Sequence, residues 1–314
     1  MNRAVVGYIA IAVLAGVPST SAAPPGPHGD SHHGHHGSPT TVTFSLTDGN
    51  TMAGYVYRTS RDRPTVIMVH GASDTHAVFD FAPGYRSARE LAELGFGVLT
   101  VDRVGYGASS HPNGDTLDYA TQAQHLHEVI GQVRAGALGI TPSEIVVLAP
   151  SAGADIAIVE AGAYHDVDGV VVCFNTSELQ PALFAVDVGA WFAQGPYFDF
   201  GVGFRTDFFY AEPWASQRII DLDNATRSLV PRAEIGSALA NVAAPFRGQI
   251  LAPVLLMQAD GDELFVPRDD SALFASSPDV TFELLARAGH KGFSHPTSKE
   301  SAVRTVTRWL RDRF

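Results

Sequence analysis

A single cysteine, Cys173, occurs in 314 residues, which excludes an intrachain disulfide framework. It lies in the apolar run 169–174 and reads as a small buried hydrophobe. Basic residues are also scarce. Against 33 Asp and Glu stand 21 Lys and Arg, a formal charge of −12 with His neutral. With no basic stripe to offset that charge, nucleic acid is excluded as a partner. The apolar run at residues 4–17 is too short to span a bilayer comfortably, so no stable membrane anchor is expected. No internal repeat is visible. The folded region shows no convergent His and carboxylate spacing, so neither a metal nor an organic cofactor is expected. The length suits one large α/β domain with an insertion, or two small domains.

What is present begins with a processing signal. Arg3 precedes the apolar run, Pro18 breaks it, and Thr20-Ser21-Ala22 fits the small-x-small cleavage rule. A signal peptide at residues 1–22 is expected, with a mature chain that starts at Ala23 and works outside the cytoplasm, secreted or periplasmic. Residues 23–40 are rich in Pro, Gly and His and read as a disordered linker. Its His28, His32, His33, His35 and His36 could hold Zn, Cu or Ni loosely, but no spacing defines a site.

Ordered structure is expected over residues 41–314. Strands are expected at 42–46 and 53–57 around the turn Asp48-Gly49-Asn50, then at 65–70, 97–102, 145–149, 167–174, 254–259 and 280–285. Helices are expected at 86–94, at 117–135 with His125 and His127 on a solvated face, at 152–159, near 269–275 and at 298–313. Alternation of the two implies right-handed crossovers and a mostly parallel sheet. Residues 178–250 break the rhythm. They are too long for a simple connection, rich in Phe, Tyr and Trp, and helical in character over 216–240. Most of those rings are expected to pack the segment onto the main domain, and a minority to line a cavity.

The stretch 145–159 carries the chemistry. A buried strand turns into a helix of small residues through Ala149-Pro150-Ser151-Ala152-Gly153. A serine at the apex of such a turn is lifted clear of the sheet, and the helix N-terminus is aimed where negative charge develops. A serine hydroxyl needs a base, and the base needs a carboxylate to hold its tautomer. After the strand at 254–259 comes Ala259-Asp260-Gly261-Asp262, and after the strand at 280–285 comes Ala288-Gly289-His290.

These tracts, with His70-Gly71-Ala72-Ser73 and the segment 102–109 (DRVGYGAS), resemble the α/β-hydrolase family over about residues 42–314. The resemblance implies an α/β-hydrolase fold: a mostly parallel eight-stranded sheet flanked by helices, with a cap inserted after the sixth strand at about 178–250. It implies Ser151 as nucleophile, Asp262 as acid with Asp260 as second choice, and His290 as base, with His295 outside the motif. Backbone amides of Ala72 and Ala152 are the implied oxyanion hole, His70 a structural residue, and 102–109 a structural turn. Two departures stand out: Ala149 replaces the usual first glycine, and Pro150 precedes the serine. The expected activity is cleavage of a small apolar carboxylic ester through an acyl-enzyme, in the manner of a carboxylesterase or lipase. Lactone opening, amide cleavage, acyl transfer and perhydrolysis use the same triad, and a non-catalytic binding protein on this fold is the reading from another class. Serine at position 151 argues against dehalogenases and epoxide hydrolases, which place an aspartate there.

Overall fold

The computed structural model describes residues 38–210 and 214–314; the expected signal peptide and most of the expected linker lie outside the described residues. Runs of Val, Ile and Leu without polar alternation form strands covered on both faces. These are β3 (Thr65–Val69), β4 (Gly97–Asp102), β5 (Ile145–Pro150), β6 (Gly169–Cys173) and β7 (Val254–Ala259), buried throughout except at Pro150. The hairpin of β1 (Thr40–Ser45) and β2 (Thr51–Arg58) forms one edge, and β8 (Val280–Leu285) the other. The eight strands lie in the order β1-β2-β4-β3-β5-β6-β7-β8. Only β2 runs against the rest. The fold is therefore the expected mostly parallel sheet with helices on both faces.

Alternation along each strand feeds two cores. Val66 and Met68 of β3 pack with α1 (Ser87–Glu93) and α9 (Lys299–Arg313) on one face. Ile67 and Val69 pack with α2 (Tyr119–Arg134) and α3 (Ala152–Tyr164) on the other. Cys173 is buried in the first core, where burial pushes its thiol well above the usual range.

Between β6 and β7 the chain builds α4 (Val188–Phe192), α5 (Val202–Phe209), α6 (Gln217–Ala225), α7 (Arg232–Leu239) and α8 (Ala244–Arg247). The helical character expected over 216–240 resolves into α6 and α7. A short ribbon of Tyr197–Phe198 with Val230–Pro231 separates them, and Pro231, which lacks an amide donor, stops one helix from running through.

Two local expectations are corrected. No α-helix forms near 269–275, only one tight turn at Ser271–Leu273. Pro267 and Pro278 bracket the segment, and the Asp270 carboxylate is occupied in accepting the Ser177 amide at 2.6 Å. His125 is buried rather than solvated. The β1–β2 turn folds over α2, so that Asp48 Oδ2 lies 2.9 Å from His125 Nε2, while His127 stays half-exposed. Among the described residues, no helix is long and apolar enough to cross a membrane.

Candidate active site

The turn from β5 into α3 places Ser151 at φ 55°, ψ −131°, a strained backbone for a residue with a side chain. The strand and helix approach so closely that a Cβ on Gly153 would sit 2.5 Å from the Val69 carbonyl oxygen and 2.7 Å from that of His70. Ala149 is fully buried in the same crossing, small enough to replace the usual glycine. Pro150 is the last ladder residue of β5, paired with Cys173, so its missing donor falls at the end of the strand.

The loops after β7 and β8 bring Asp262 and His290 together, both buried. Asp262 Oδ2 lies 2.9 Å from His290 Nδ1, and Oδ1 accepts the amides of Leu264 (2.8 Å) and Phe265 (3.0 Å). The carboxylate is thereby fixed in place, and the imidazole tautomer with a proton on Nδ1 is favoured. Phe209 and Phe265 flank the ring at centroid distances of 5.4 and 5.7 Å. Asp260 is exposed and does other work: its carboxylate accepts the Ala288 amide at 3.1 Å and shapes the loop ahead of His290. His295 is buried beside Tyr210, and burial lowers it to about 4. Ser151 and His290 line one small pocket with Ala72, Asp74 and Phe209. Among the described residues Ser151 Oγ makes no hydrogen bond to His290, although both line the same pocket. Ala72 and Ala152 line the same cavity as Ser151, and the Ala152 amide, first of α3, has no intrahelical acceptor.

The loop 70–74 is held by two buried ionic networks that the local motifs do not reveal. Arg103 donates to the His70 and Gly71 carbonyls (3.0 and 3.1 Å) and grips Glu234 of α7 with both terminal nitrogens (2.7 and 3.0 Å); Tyr106 adds its hydroxyl. His70 Nε2 accepts the Arg103 amide at 3.1 Å, and burial with the adjacent guanidinium lowers His70 to about 3, consistent with the structural role expected of it. On the other side, Arg205 of α5 binds Ser73 and Asp223, and Lys291 reaches Asp74 (2.5 Å) and Asp223 (3.3 Å). Burial opposes ionisation of Asp74, but Lys291 and Arg205 outweigh it and hold its carboxyl below the usual range. The one available signal in the sequence is that Arg205 and Glu234 are charges set among aromatic and aliphatic neighbours.

The segment 102–109 forms the expected turn. Asp102 accepts the amides of His76 (2.8 Å) and Ala108 (3.0 Å). Gly107 has φ 53°, and a Cβ there would meet the Asp102 carboxylate at 2.1 Å.

Over Ser151 opens a cavity of about 530 Å³. Trp191, Phe200, Phe204, Phe209 and Phe184 of the insertion line it, while Phe192, Phe198 and Tyr210 are packed outside its lining. Its polar members include Asp155, one helical turn beyond Ser151, and Arg247 of α8, whose Nη2 lies 3.4 Å from Asp155 Oδ1. Burial raises Asp155 to about 6 although Arg247 favours its charged form.

A family model described as serine aminopeptidase, S33, matches residues 60–296, most of the chain. No curated protein matches its sequence significantly. Among solved structures, a soluble variant of monoglyceride lipase from Saccharomyces cerevisiae superposes with a TM-score of 0.69 at 14% identity, covering 90% of this chain and 97% of that one. A thermophilic esterase from Thermogutta terrifontis gives 0.67 at 20% identity, covering 87% and 98%. The esterase EaEST from Exiguobacterium antarcticum gives 0.65 at 18% identity, covering 87% and 100%. At such identities the likeness establishes the fold, and the family model carries the membership. The chain belongs to the α/β-hydrolase family, within the group that model describes.

Proposed function

We propose that this protein is a secreted serine carboxylesterase that cleaves apolar esters with Ser151, His290 and Asp262. The observation that carries the reading is the buried His290–Asp262 pair at 2.9 Å beside a serine held at positive φ in the same pocket. With Nδ1 committed to Asp262, Nε2 is the nitrogen left to take the serine proton. Ser151 Oγ then bonds to the ester carbonyl carbon, and the carbonyl oxygen becomes an oxyanion between the amides of Ala72 and Ala152. Collapse breaks the bond to the alcohol, which leaves with the proton from His290. Water adds to the acyl-enzyme, gives its proton to His290, and the acid departs as Ser151 is reprotonated. The aromatic walls of the cavity favour an apolar acyl or alcohol group. Secretion is supported by the Arg3, apolar run and Thr20-Ser21-Ala22 pattern.

The test combines labelling with turnover. A fluorophosphonate should label wild-type protein at Ser151, and Ser151→Ala should lose both labelling and hydrolysis of a nitrophenyl ester by at least about a thousandfold while staying folded. Ester turnover unchanged in Ser151→Ala refutes the assignment. Turnover of peptide amides with none of esters moves the substrate class to the peptidases that the family model's description names.

A further inference from the structure

Away from Ser151, the fold gathers His127 of α2, Glu160 of α3 and Asp166 in the connection to β6. The sequence shows no such convergence, because these residues come from separate elements and meet only once α2 packs on α3. One ligand atom from each lies within 4.8 Å of the others. His127 Nδ1 is 2.7 Å from Asp166 Oδ2 and 3.9 Å from Glu160 Oε1.

Glu160 is fully buried, and among the described residues no donor reaches either of its carboxylate oxygens; its one polar neighbour of that kind is the Asp166 carboxyl, which bonds to it only when one of the two is protonated. Asp166 Oδ1 is buried and unpartnered as well. Buried carboxylate oxygens without partners are costly, and so many in one place call for a positive ligand or a proton. Arg134 donates to the Asp166 backbone carbonyl (2.6 Å) and to Asp168 (2.6 Å), so its charge is felt at Glu160 without a hydrogen bond to it. Tyr164 stacks on the His127 ring at 4.0 Å and limits its rotation.

We propose that His127, Glu160 and Asp166 form a zinc-binding site that clasps α2 to α3. One imidazole nitrogen with two carboxylates suits zinc better than calcium or magnesium, which take oxygen ligands. Tetrahedral zinc with bonds of about 2.0–2.1 Å sets its ligand atoms about 3.3 Å apart; here two pairs stand at 2.7 and 3.9 Å and all three lie within 4.8 Å, so zinc would replace the His127–Asp166 hydrogen bond and draw the ligands together by small side-chain shifts. Because His127 is half-exposed, the fourth position opens to water. Glu160 lies nine residues along α3 from Ser151, about 13 Å at the helical rise, so the ion stabilises the domain without touching the reacting atoms.

The experiment uses full-length protein stripped with EDTA, with and without zinc chloride, as wild type, His127→Ala and Glu160→Gln. At zinc about a hundredfold above its dissociation constant, the wild-type melting midpoint should rise by about 5 °C, and neither variant should respond. Equilibrium dialysis should show one zinc fewer on His127→Ala than on wild type; binding by the histidines at 28–36 is common to both and cancels. Ester turnover of the two variants should stay within about twofold of wild type, because they lie outside the catalytic pocket. Equal zinc responses in wild type and His127→Ala overturn the proposal. So does a wild type insensitive to millimolar zinc, with Glu160→Gln more stable than wild type, for that pattern marks a proton shared between the two carboxyls.

Discussion

Ser151 is the residue where conformation and chemistry conflict most openly. Its φ of 55° with ψ of −131° disfavours any side chain, a cost of about 1–3 kcal/mol, which the packing of Gly153 against β3 enforces. Removing the side chain altogether relieves it. Ser151→Gly should therefore be more stable than Ser151→Ala by about 1 kcal/mol in urea unfolding, although both lack the hydroxyl. Equal stabilities would show that the elbow is unstrained. Asp155 offers a second test. Its folded value of about 6 lies above the ordinary 3.8, so the folded state binds the proton more tightly. The resulting stabilisation is complete below about pH 4 and is lost as pH rises through 6. Relative to Asp155→Asn, wild type should lose about 2 kcal/mol between pH 4 and pH 7, measured by urea unfolding at each pH. At this scale the sequence was highly legible. Ser151, Asp262 and His290 each stand in a short tract beside a strand end, and that local pattern was enough to foresee that Asp262 meets His290 and that His290 shares a pocket with Ser151. Asp155 escaped because an aspartate one turn into a helix looks like many others until the cavity above it is known.

The elements around the site depend on partners far apart in the chain. Arg103 and Glu234 are 131 residues apart, yet they join the turn after β4 to α7 and hold the carbonyls of His70 and Gly71 between them. Glu234→Leu leaves a buried guanidinium without its counter-charge and should cost about 3–5 kcal/mol. Arg103→Met combined with Glu234→Leu should recover most of that stability, since two apolar side chains replace two charges. Turnover should not recover, because the loop that carries the Ala72 amide has lost its donors. Full activity in the double variant would show that the network does not position the loop. Strands and helices were legible from periodicity because burial acts locally on each of them. The helix expected near residue 269 failed because the pattern there reflects Asp270 reaching Ser177 rather than a buried face. His125 failed for a related reason: the face of α2 it occupies is covered by a turn some 77 residues earlier.

For the molecule as a whole, sheet order follows from alternation of strands and helices, whereas the cavity comes from the insertion, whose helices share no period with the sheet. An apolar cavity of about 530 Å³ should gain roughly 0.8 kcal/mol for each methylene it removes from water. Over a series of nitrophenyl esters, kcat/KM should rise about fourfold per methylene until the walls are reached, then fall. A flat series from acetate onward would place the chain outside the cavity. Phe184 is 79% exposed yet belongs to the lining, so it stands at the mouth. Phe184→Ala should change the rates of long esters more than those of acetate.

The two buried ionic networks on either side of loop 70–74 carry a consequence for traffic. An insertion riveted to loop 70–74 at Glu234 and at Arg205 cannot swing away from it without tearing apart charges that have no water to receive them. On the proposed function, substrates would come and go by the unriveted side, past the largely exposed span from Pro181 to Val188, with the backbone of Ala72 held in position throughout.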